Sequence, residues 1–328
     1  MRVFVTGGSG FIGGALIRRL RLEGYEVKAL ARSPKAEALV EDAGASPVPG
    51  DLSWPGPWQN ALRSGQAVVH SGAMAADWGP RGEFFGVNVG GTKNVLDALE
   101  GWDGHFVHVS SIAVHGFRPG VYTEASPVSP GRHPYCASKA AAEALVDSSV
   151  RKGLKASIVR ISGAYGPGDP HFTARLLDHA GSGHVDIVRP GDQPSKLIYI
   201  DDIIDAFMAI LKRPCEPGAR YLLNDPSLPG VLGMLRLALD VLGISVPIRS
   251  VPEWLADAAA LCQESGARLT GSRPRLTRYA VRALGRRCLF LPEGTCRKLG
   301  WSPRVRARDG VEKTIAWYRK ERPAGPGA

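Results

Sequence analysis

The chain has 328 residues, of which 44% are hydrophobic and 22% are charged, with a formal net charge of +10. This composition excludes a disordered or fibrous protein and allows a large buried core. No apolar run reaches the roughly 18–20 residues that cross a bilayer. The chain begins almost at once with the strand-like RVFVTGG, and its five cysteines form no CxxC pair. We therefore expect a soluble, cytoplasmic protein without a signal peptide, a disulfide framework or a metal site.

The first 160 residues alternate between short apolar segments and helical patterns. The strand-like segments lie at 3–6, 27–30, 67–70, 105–110 and 155–160, and the helical patterns at 10–24, 34–44, 88–101 and 135–153. Such alternation predicts βαβ units in a parallel sheet covered on both faces. We predict an α/β protein with a Rossmann-type doubly wound parallel sheet and a smaller C-terminal α/β substrate-binding region.

A glycine triplet joins the first predicted strand to the first predicted helix. Gly7, Gly10 and Gly13 follow the spacing G-x-x-G-x-x-G. Glycine lets the backbone lie against a pyrophosphate, and the start of the helix, at Phe11 and Ile12, offers free N–H groups and a positive dipole end. A flexible turn is the alternative, but the strand before it and the helix after it favour dinucleotide binding.

The end of the second predicted strand indicates which dinucleotide binds. An NAD site usually has an acid there, whereas this chain has Arg32 and Ser33. A guanidinium attracts a 2′-phosphate, so the sequence favours NADP(H) over NAD, although Arg32 could be an ordinary surface residue. Asp51, followed by Leu52, ends the third strand, where its carboxylate could accept from adenine or cap the next helix.

Tyr135 and Lys139 stand four residues apart at the start of a predicted helix and therefore share one face of it. The preceding strand ends at Ser110 and Ser111, at the sheet edge where ligands bind. A neighbouring ammonium, helped by the charge of an oxidised nicotinamide, favours the phenolate and lowers the pKa of a tyrosine. Together these groups can move a proton while a hydride moves to or from a nicotinamide.

The regular alternation ends near residue 166. We expect a dinucleotide-binding domain over 1–165 plus about 194–215, a substrate-binding lid over about 166–193 and 216–322, and a flexible tail at 323–328. The arginine-rich segment 268–290 contains no acid. We interpret it as a solvated face rather than a nucleic-acid surface, and it leaves open a weak contact with an anionic membrane.

Seven motifs together resemble the extended short-chain dehydrogenases/reductases, the superfamily of NAD-dependent epimerases and dehydratases. They are TGGSGFIG (6–13), GDL (50–52), NVGGTKNV (88–95), VSSIAVHG (109–116), YCASK (135–139), RISGAYGPGD (160–169) and YIDDIIDAF (199–207). The resemblance implies that Ser111 carries the catalytic hydroxyl, that Tyr135 is the acid–base, and that Lys139 lowers its pKa and binds the nicotinamide ribose. It further implies cofactor contacts at Ser71, Gly72, Ala73, Asn88, Ile161 and Ser162, and a homodimer formed through the helices at 88–101 and 135–153.

Two further segments, 74–89 and 274–305, resemble the branch of 3β-hydroxysteroid dehydrogenases and 2-alkyl-3-oxoalkanoate reductases. This implies an oxidoreductase that interconverts a secondary alcohol and a ketone on an apolar small molecule, either a β-hydroxy or β-keto acid or a sterol-like compound. Four residues are candidates either for substrate contact or for packing: Met74, Trp78, Phe172 and His115. For His115 we favour packing. A nucleotide-sugar epimerase or dehydratase that retains its cofactor, and a non-catalytic NADP sensor, are the alternative functions.

Overall fold

A seven-stranded parallel sheet is the main element of the computed structural model, which describes residues 1–169, 184–188 and 191–321. The described strands are β1 (Arg2–Thr6), β2 (Glu26–Ala31), β3 (Ser46–Pro49), β4 (Ala67–His70), β5 (His105–Ser111), β6 (Gly120–Tyr122), β7 (Ala156–Ile161), β8 (Gly163–Tyr165), β9 (Val185–Val188), β10 (Leu197–Tyr199), β11 (Ala219–Leu223), β12 (Ile248–Val251) and β13 (Cys288–Phe290). The large sheet has the order β11-β7-β5-β4-β1-β2-β3. The order reverses between β1 and β4, the point where open α/β sheets bind ligands. The predicted doubly wound α/β fold is confirmed.

Helices cover both faces of this sheet. The α-helices of the described residues are α1 (Phe11–Leu22), α2 (Pro34–Asp42), α3 (Trp58–Arg63), α4 (Arg81–Phe85), α5 (Gly91–Ala98), α6 (Pro134–Arg151), α7 (Ile200–Leu211), α8 (Val231–Leu242), α9 (Glu253–Thr270), α10 (Arg278–Gly285), α11 (Glu293–Leu299) and α12 (Ala307–Glu321). Successive strand residues point to opposite faces, so Val5 packs in a cluster with Leu16 and Phe207, and Phe4 in a second cluster with Val146. Because both faces are buried, the strands are apolar throughout instead of alternating.

The helix predicted over 88–101 begins with a π-helical turn. Residues Gly86–Gly90 form a π-helical turn that contains Asn88, and α5 continues from Gly91. A π turn is rare and is often found at functional sites. Here it places the side chain of Asn88 in the protein interior, where it is almost fully buried.

Residues after 215, which we assigned to the substrate-binding region, also contribute a strand to the large sheet. Strand β11 pairs with β7, so the sheet extends beyond the boundary expected near 215. Helix α12 packs against α8, and Trp301 Nε1 donates a 3.0 Å hydrogen bond to the Asp202 carbonyl in α7. Smaller parallel pairs, β9 with β12 and β6 with β13, lie outside the large sheet. The expected tail at 323–328 lies outside the described residues.

The arginine-rich segment is largely paired with acids of α9. Arg278 contacts Asp257 at 2.8 Å, and Arg286 contacts Glu253 at 2.8 Å. The sequence predicted a solvated face because the segment 268–290 itself contains no acid, whereas these partners lie before position 268. No helix in the described ranges combines the length and hydrophobicity required for a membrane span.

Candidate active site

The turn between β1 and α1 brings glycines close to neighbouring backbone. Gly7 has a φ of +72°, and a Cβ there would lie 2.6 Å from the backbone nitrogen of Gly72. A Cβ at Gly13 would overlap the carbonyl oxygen of Gly7. Only residues without a side chain fit these positions, because the turn lies directly against the loop that follows β4.

The start of α1 is open to an anion. Gly10 precedes the helix without a side-chain cap, and the first helical turn contains no acid. The first N–H groups of a helix, here including those of Phe11 and Ile12, have no partner within the helix. With the positive end of the helix dipole they form a cradle that fits the pyrophosphate of a dinucleotide.

Arg32 and Ser33 follow β2 at the same edge of the sheet. The Arg32 side chain is exposed, and no carboxylate of the described ranges forms a salt bridge with it. Ser33 caps α2, because its hydroxyl accepts a 3.3 Å hydrogen bond from the Ala36 N–H. Arg32 is therefore available to a ligand, whereas the hydroxyl of Ser33 already has a structural partner.

Asp51 and Leu52 lie between β3 and α3. One carboxylate oxygen of Asp51 accepts a 2.8 Å hydrogen bond from the Ser53 N–H, which stabilises a turn. It does not cap α3, which begins at Trp58. The Leu52 side chain packs so closely on Gly72 that a Cβ there would lie 2.6 Å from Leu52 Cδ1.

The loop after β4 is bonded to the end of β1. The Ser71 hydroxyl donates a 2.7 Å hydrogen bond to the Thr6 carbonyl, and the Gly72 N–H donates to Thr6 Oγ1 at 3.1 Å. Ala73, the next residue, is exposed. A hydrogen bond of 2.7 Å joins Thr6 Oγ1 to His70 Nδ1. These contacts hold residues 71–73 beside the glycine turn.

The hydroxyls of Ser111 and Tyr135 meet at the carboxyl end of β5. Strand β5 ends at Ser111, and α6 begins at Pro134, which places Tyr135 in its first turn. Burial raises the pKa of Tyr135 to about 12, and a hydrogen bond with the Ser111 hydroxyl acts in the opposite direction. The phenol is therefore protonated at neutral pH and can act as a proton donor.

Lys139 lies on the same helix as Tyr135 but does not lower the pKa of that tyrosine as expected. Its ammonium donates a 2.6 Å hydrogen bond to the Val109 carbonyl, and burial lowers its pKa to about 8, while Glu143 acts to raise it. The sequence predicted a lowered pKa for Tyr135. That pKa is instead raised, because burial of the phenol outweighs the effect of Ser111, which favours the anion.

Asn88 connects the π turn to α6. Its side-chain oxygen accepts from the Met74 N–H at 2.7 Å, and its amide donates to the Met74 carbonyl at 3.1 Å. The same amide donates to Ser138 Oγ at 2.9 Å, and this hydroxyl donates to the Tyr135 carbonyl at 2.9 Å. Asn88 thus orients the helix that carries the phenol and the loop that holds residues 74–78.

A cavity of about 740 Å³ opens beside the two hydroxyls. Its lining includes Ser111, Tyr135 and two further predicted residues, Trp78 and Ser162. The walls are mostly apolar, including Ile112, Phe117, Leu197, Pro229, Val231 and Leu284. Such a cavity suits a small molecule with apolar chains.

Three other predicted residues lie elsewhere. Ile161 ends β7 and is buried, and Met74 contributes the backbone groups that bind Asn88. His115 is fully buried, bonds the Pro127 carbonyl at 3.0 Å and packs at 4.8 Å from the ring of Tyr122, so it does not line the cavity. Phe172 lies outside the described residues.

Several cavity residues carried no signal in the sequence. Lys196, Tyr279, Arg273 and Arg275 line the cavity from segments distant in the chain. The Tyr279 ring lies 6.1 Å from that of Tyr135. The segment around Lys196 lacks a spacing pattern that would indicate a site, and the two arginines are hidden among the others of 268–290. These segments meet only in the tertiary structure, where all of them line one cavity.

A buried ion pair lies behind the catalytic edge. Arg160 contacts Glu143 at 2.8 Å and 3.1 Å, and the Ser110 hydroxyl donates a 2.6 Å hydrogen bond to the same carboxylate. Both charged side chains are almost fully buried, at 1% and 2% exposed. Ser110 is thereby committed to a structural bond, and of the two serines at the end of β5 it is Ser111 that lines the cavity.

Comparison with known proteins places this geometry among characterised enzymes. The model of the NAD dependent epimerase/dehydratase family matches residues 3–223. The chain is similar to the 4-hydroxy-2-methyl-3-oxo-4-farnesyl-3,4-dihydroquinoline-1-oxide ketoreductase of Stigmatella aurantiaca, with 31% identity over 335 residues covering 100% of this chain and 98% of the relative. It is also similar to the 2-alkyl-3-oxoalkanoate reductase of Stenotrophomonas maltophilia, with 29% identity covering 96% of this chain and 99% of the relative.

Solved structures show the same architecture. A dTDP-glucose 4,6-dehydratase from Streptomyces venezuelae, solved with NAD and TYD bound, has a TM-score of 0.79 and 26% sequence identity. The alignment covers 98% of both chains. The fold described above is therefore shared along almost the whole length.

Proposed function

This chain belongs to the NAD dependent epimerase/dehydratase family, and on that premise we propose that it is an NADP(H)-dependent reductase of ketones on apolar substrates. It is an oxidoreductase of the extended short-chain dehydrogenase/reductase type, as its motifs predict. The observation that carries the proposal is that Ser111 and Tyr135 lie together in the lining of a mostly apolar cavity. The named activities of the two similar reductases support a ketone–alcohol pair as substrate and product.

Each residue then has a defined task in reduction. A bound nicotinamide cofactor supplies the hydride. The Ser111 hydroxyl donates a hydrogen bond to the carbonyl oxygen of the substrate and holds it beside Tyr135. The protonated phenol of Tyr135 transfers its proton to that oxygen as negative charge develops there. In the oxidative direction the phenolate is needed, and Lys139 would favour it.

The cofactor preference rests on Arg32. This exposed guanidinium follows β2, and no acid accompanies it at the strand end. A guanidinium can bind a 2′-phosphate by charge-assisted hydrogen bonds, which supports NADP(H) over NAD. The adenosine half would lie beside Asp51 and the loop 71–73, and the nicotinamide half near Ser162.

A substrate screen with both cofactors tests the proposal. β-Hydroxy acids, β-keto acids, sterols, and UDP- or dTDP-sugars would each be incubated with NAD(H) and NADP(H), and absorbance followed at the nicotinamide band. We expect net NADP(H) turnover with an apolar ketone or alcohol. Conversion of a nucleotide sugar with no net change in the cofactor, and with cofactor retained through purification, would replace our proposal with the epimerase alternative.

We also propose that the protein is a cytoplasmic homodimer with a substrate-binding region over about 166–193 and 216–322. All five cysteines are unpaired thiols, which fits a reducing compartment. The family resemblance suggests pairing through α5 and α6. Light scattering coupled to size-exclusion chromatography measures the mass, and a mass of 35.0 kDa would indicate a monomer instead.

A further inference from the structure

Lys196 is a buried cation in the lining of the substrate cavity. Its residue is 8% exposed, and its ammonium donates a 2.6 Å hydrogen bond to the Arg286 carbonyl. Across 1–169, 184–188 and 191–321, no carboxylate forms a salt bridge with it. An ammonium can donate three hydrogen bonds, so two remain for another partner. A buried charge without a counter-ion is costly and indicates that a ligand supplies one.

The backbone places Lys196 near the reacting groups. Ser111 is in register with Ile161 on the neighbouring strand, and the chain continues through Ser162 to Gly163. The Gly163 N–H donates a 2.8 Å hydrogen bond to the Lys196 carbonyl. Adjacent strands lie about 4.8 Å apart, so the backbone of Lys196 lies at the same end of the sheet as Ser111, two strand positions away.

A second polar group points to the same ligand. Ser162 lines the cavity and is 7% exposed, and its buried hydroxyl has no hydrogen-bond partner among the described residues. A buried hydroxyl is rarely left unpaired in a native protein. An anion beside Lys196 would accept from both groups. Burial lowers the pKa of Lys196 to about 8, which still leaves most of the ammonium charged at pH 7.

We propose that Lys196, assisted by Ser162, binds a carboxylate of the substrate on the inner side of the cavity, next to the carbonyl that is reduced. This assignment rests on the proposed function and narrows its substrate class to β-keto acids and β-hydroxy acids. In these molecules a single carbon separates the carboxylate from the reacting carbon, so the cation that binds it must lie beside the catalytic hydroxyls. Arg273 and Arg275 also line the cavity, but both are exposed. Exposed cations bind a carboxylate weakly because water and salt screen them.

The test compares 2-butyl-3-hydroxyoctanoic acid with its methyl ester, each oxidised with NADP. Lys196→Gln keeps a donor for the Arg286 carbonyl but removes the charge. We expect it to lower kcat/KM for the acid by about 30-fold or more and to change that for the ester by less than about 3-fold. Lys196→Arg, which keeps the charge, should retain more activity on the acid than Lys196→Gln does. The double variant Arg273→Gln/Arg275→Gln is the matched control and should show a smaller loss that disappears at high salt.

Equal losses on the acid and the ester in Lys196→Gln would overturn the carboxylate site while leaving the reductase proposal intact. If the wild type turns over neither compound, the proposed function fails for this substrate class. The carboxylate site is then tested separately, by measuring decanoate binding to the wild type and to Lys196→Gln with calorimetry. Weaker decanoate binding to Lys196→Gln than to the wild type, with decanol binding unchanged, would support the site. Equal decanoate binding would reject it. Thermal unfolding of each variant establishes that it is folded.

Discussion

The side-chain amide of Asn88 donates a 2.9 Å hydrogen bond to the Ser138 hydroxyl, and both residues are buried. The two residues are 50 positions apart in the chain. The Ser138 hydroxyl in turn donates a hydrogen bond to the carbonyl of Tyr135, and Asn88 also bonds both backbone groups of Met74. The position of the phenol and the position of the loop beside the cavity therefore depend on one amide.

Replacement of Asn88 by alanine should loosen this arrangement. We expect kcat to fall by about 10- to 100-fold, because a small displacement of catalytic groups is sufficient for such a loss. Steady-state kinetics measure the effect, with Asn94→Ala as the control, since Asn94 donates to the Leu52 carbonyl and not to α6. Equal kinetics for Asn88→Ala and the wild type would show that α6 is positioned without the amide.

Replacement of Tyr135 by phenylalanine should abolish most turnover. The ring and its packing remain while the acid–base group is lost, so we expect kcat to fall by about 100- to 10,000-fold. Cofactor affinity, measured by fluorescence titration, should change little. Tyr122→Phe is the control, because that hydroxyl donates to the Arg118 carbonyl and does not line the cavity. Unchanged turnover in Tyr135→Phe would refute the assigned role.

Replacement of Arg32 by aspartate should reverse the cofactor preference. A carboxylate repels a 2′-phosphate and can accept from a ribose 2′-hydroxyl, so kcat/KM with NADPH should fall at least about 10-fold while that with NADH is maintained or rises. Arg151→Asp, at the exposed end of α6, makes the same charge change elsewhere. A similar loss in both variants would point to a general effect of charge instead.

Replacement of Glu143 by glutamine should destabilise the fold. It leaves the guanidinium of Arg160 buried without its counter-ion, so we expect unfolding free energy to fall by about 3–5 kcal/mol. Urea unfolding measures the change. Asp97→Asn breaks the exposed Lys93–Asp97 pair and should cost less than about 1 kcal/mol. Equal losses in the two variants would contradict the importance of burial.

Histidines whose pKa is lowered by burial should make the protein sensitive to mild acid. Burial lowers the pKa of His70 to about 3 and that of His105 to about 4, and lowers that of His108 well below its usual value. Below about pH 6.5 the unfolded chain binds protons at these sites and the native protein does not. Stability should therefore fall with decreasing pH, by about 1.4 kcal/mol per unit for each histidine.

Urea unfolding between about pH 7 and pH 5 measures this slope. His108→Phe should reduce it by the contribution of one proton, because His108 is fully enclosed and neither of its ring nitrogens has a partner among the described residues. His184→Gln is the control, since that side chain is 36% exposed. An unchanged slope in His108→Phe would mean that this residue is not a source of the acid sensitivity.

The parts of the site that lie on single elements were predictable from the sequence. The glycine turn is one strand–helix junction, and Tyr135 and Lys139 share one helix, so spacing along the chain was sufficient to indicate them. The order of strands and helices likewise followed from local apolar patterns. The expected domain boundary near 215 differs from the observed sheet because β11 is added to it by pairing with β7, a contact between segments about 60 positions apart.

The ion pairs, the cavity lining and the pKa shifts depend on contacts between segments that are distant in the chain. Glu253 and Asp257 form ion pairs with arginines of 278–286, which belong to a different helix. Lys196 lines the same cavity as Ser111, although the sequence around Lys196 gives no indication of a site. The direction of the pKa shift at Tyr135 also depended on burial by other elements, which no spacing reveals. The physical reason is the same in each case. Hydrogen-bonding patterns and apolar periodicity act over one turn or one strand, whereas charge pairing and desolvation depend on every atom that packing brings near.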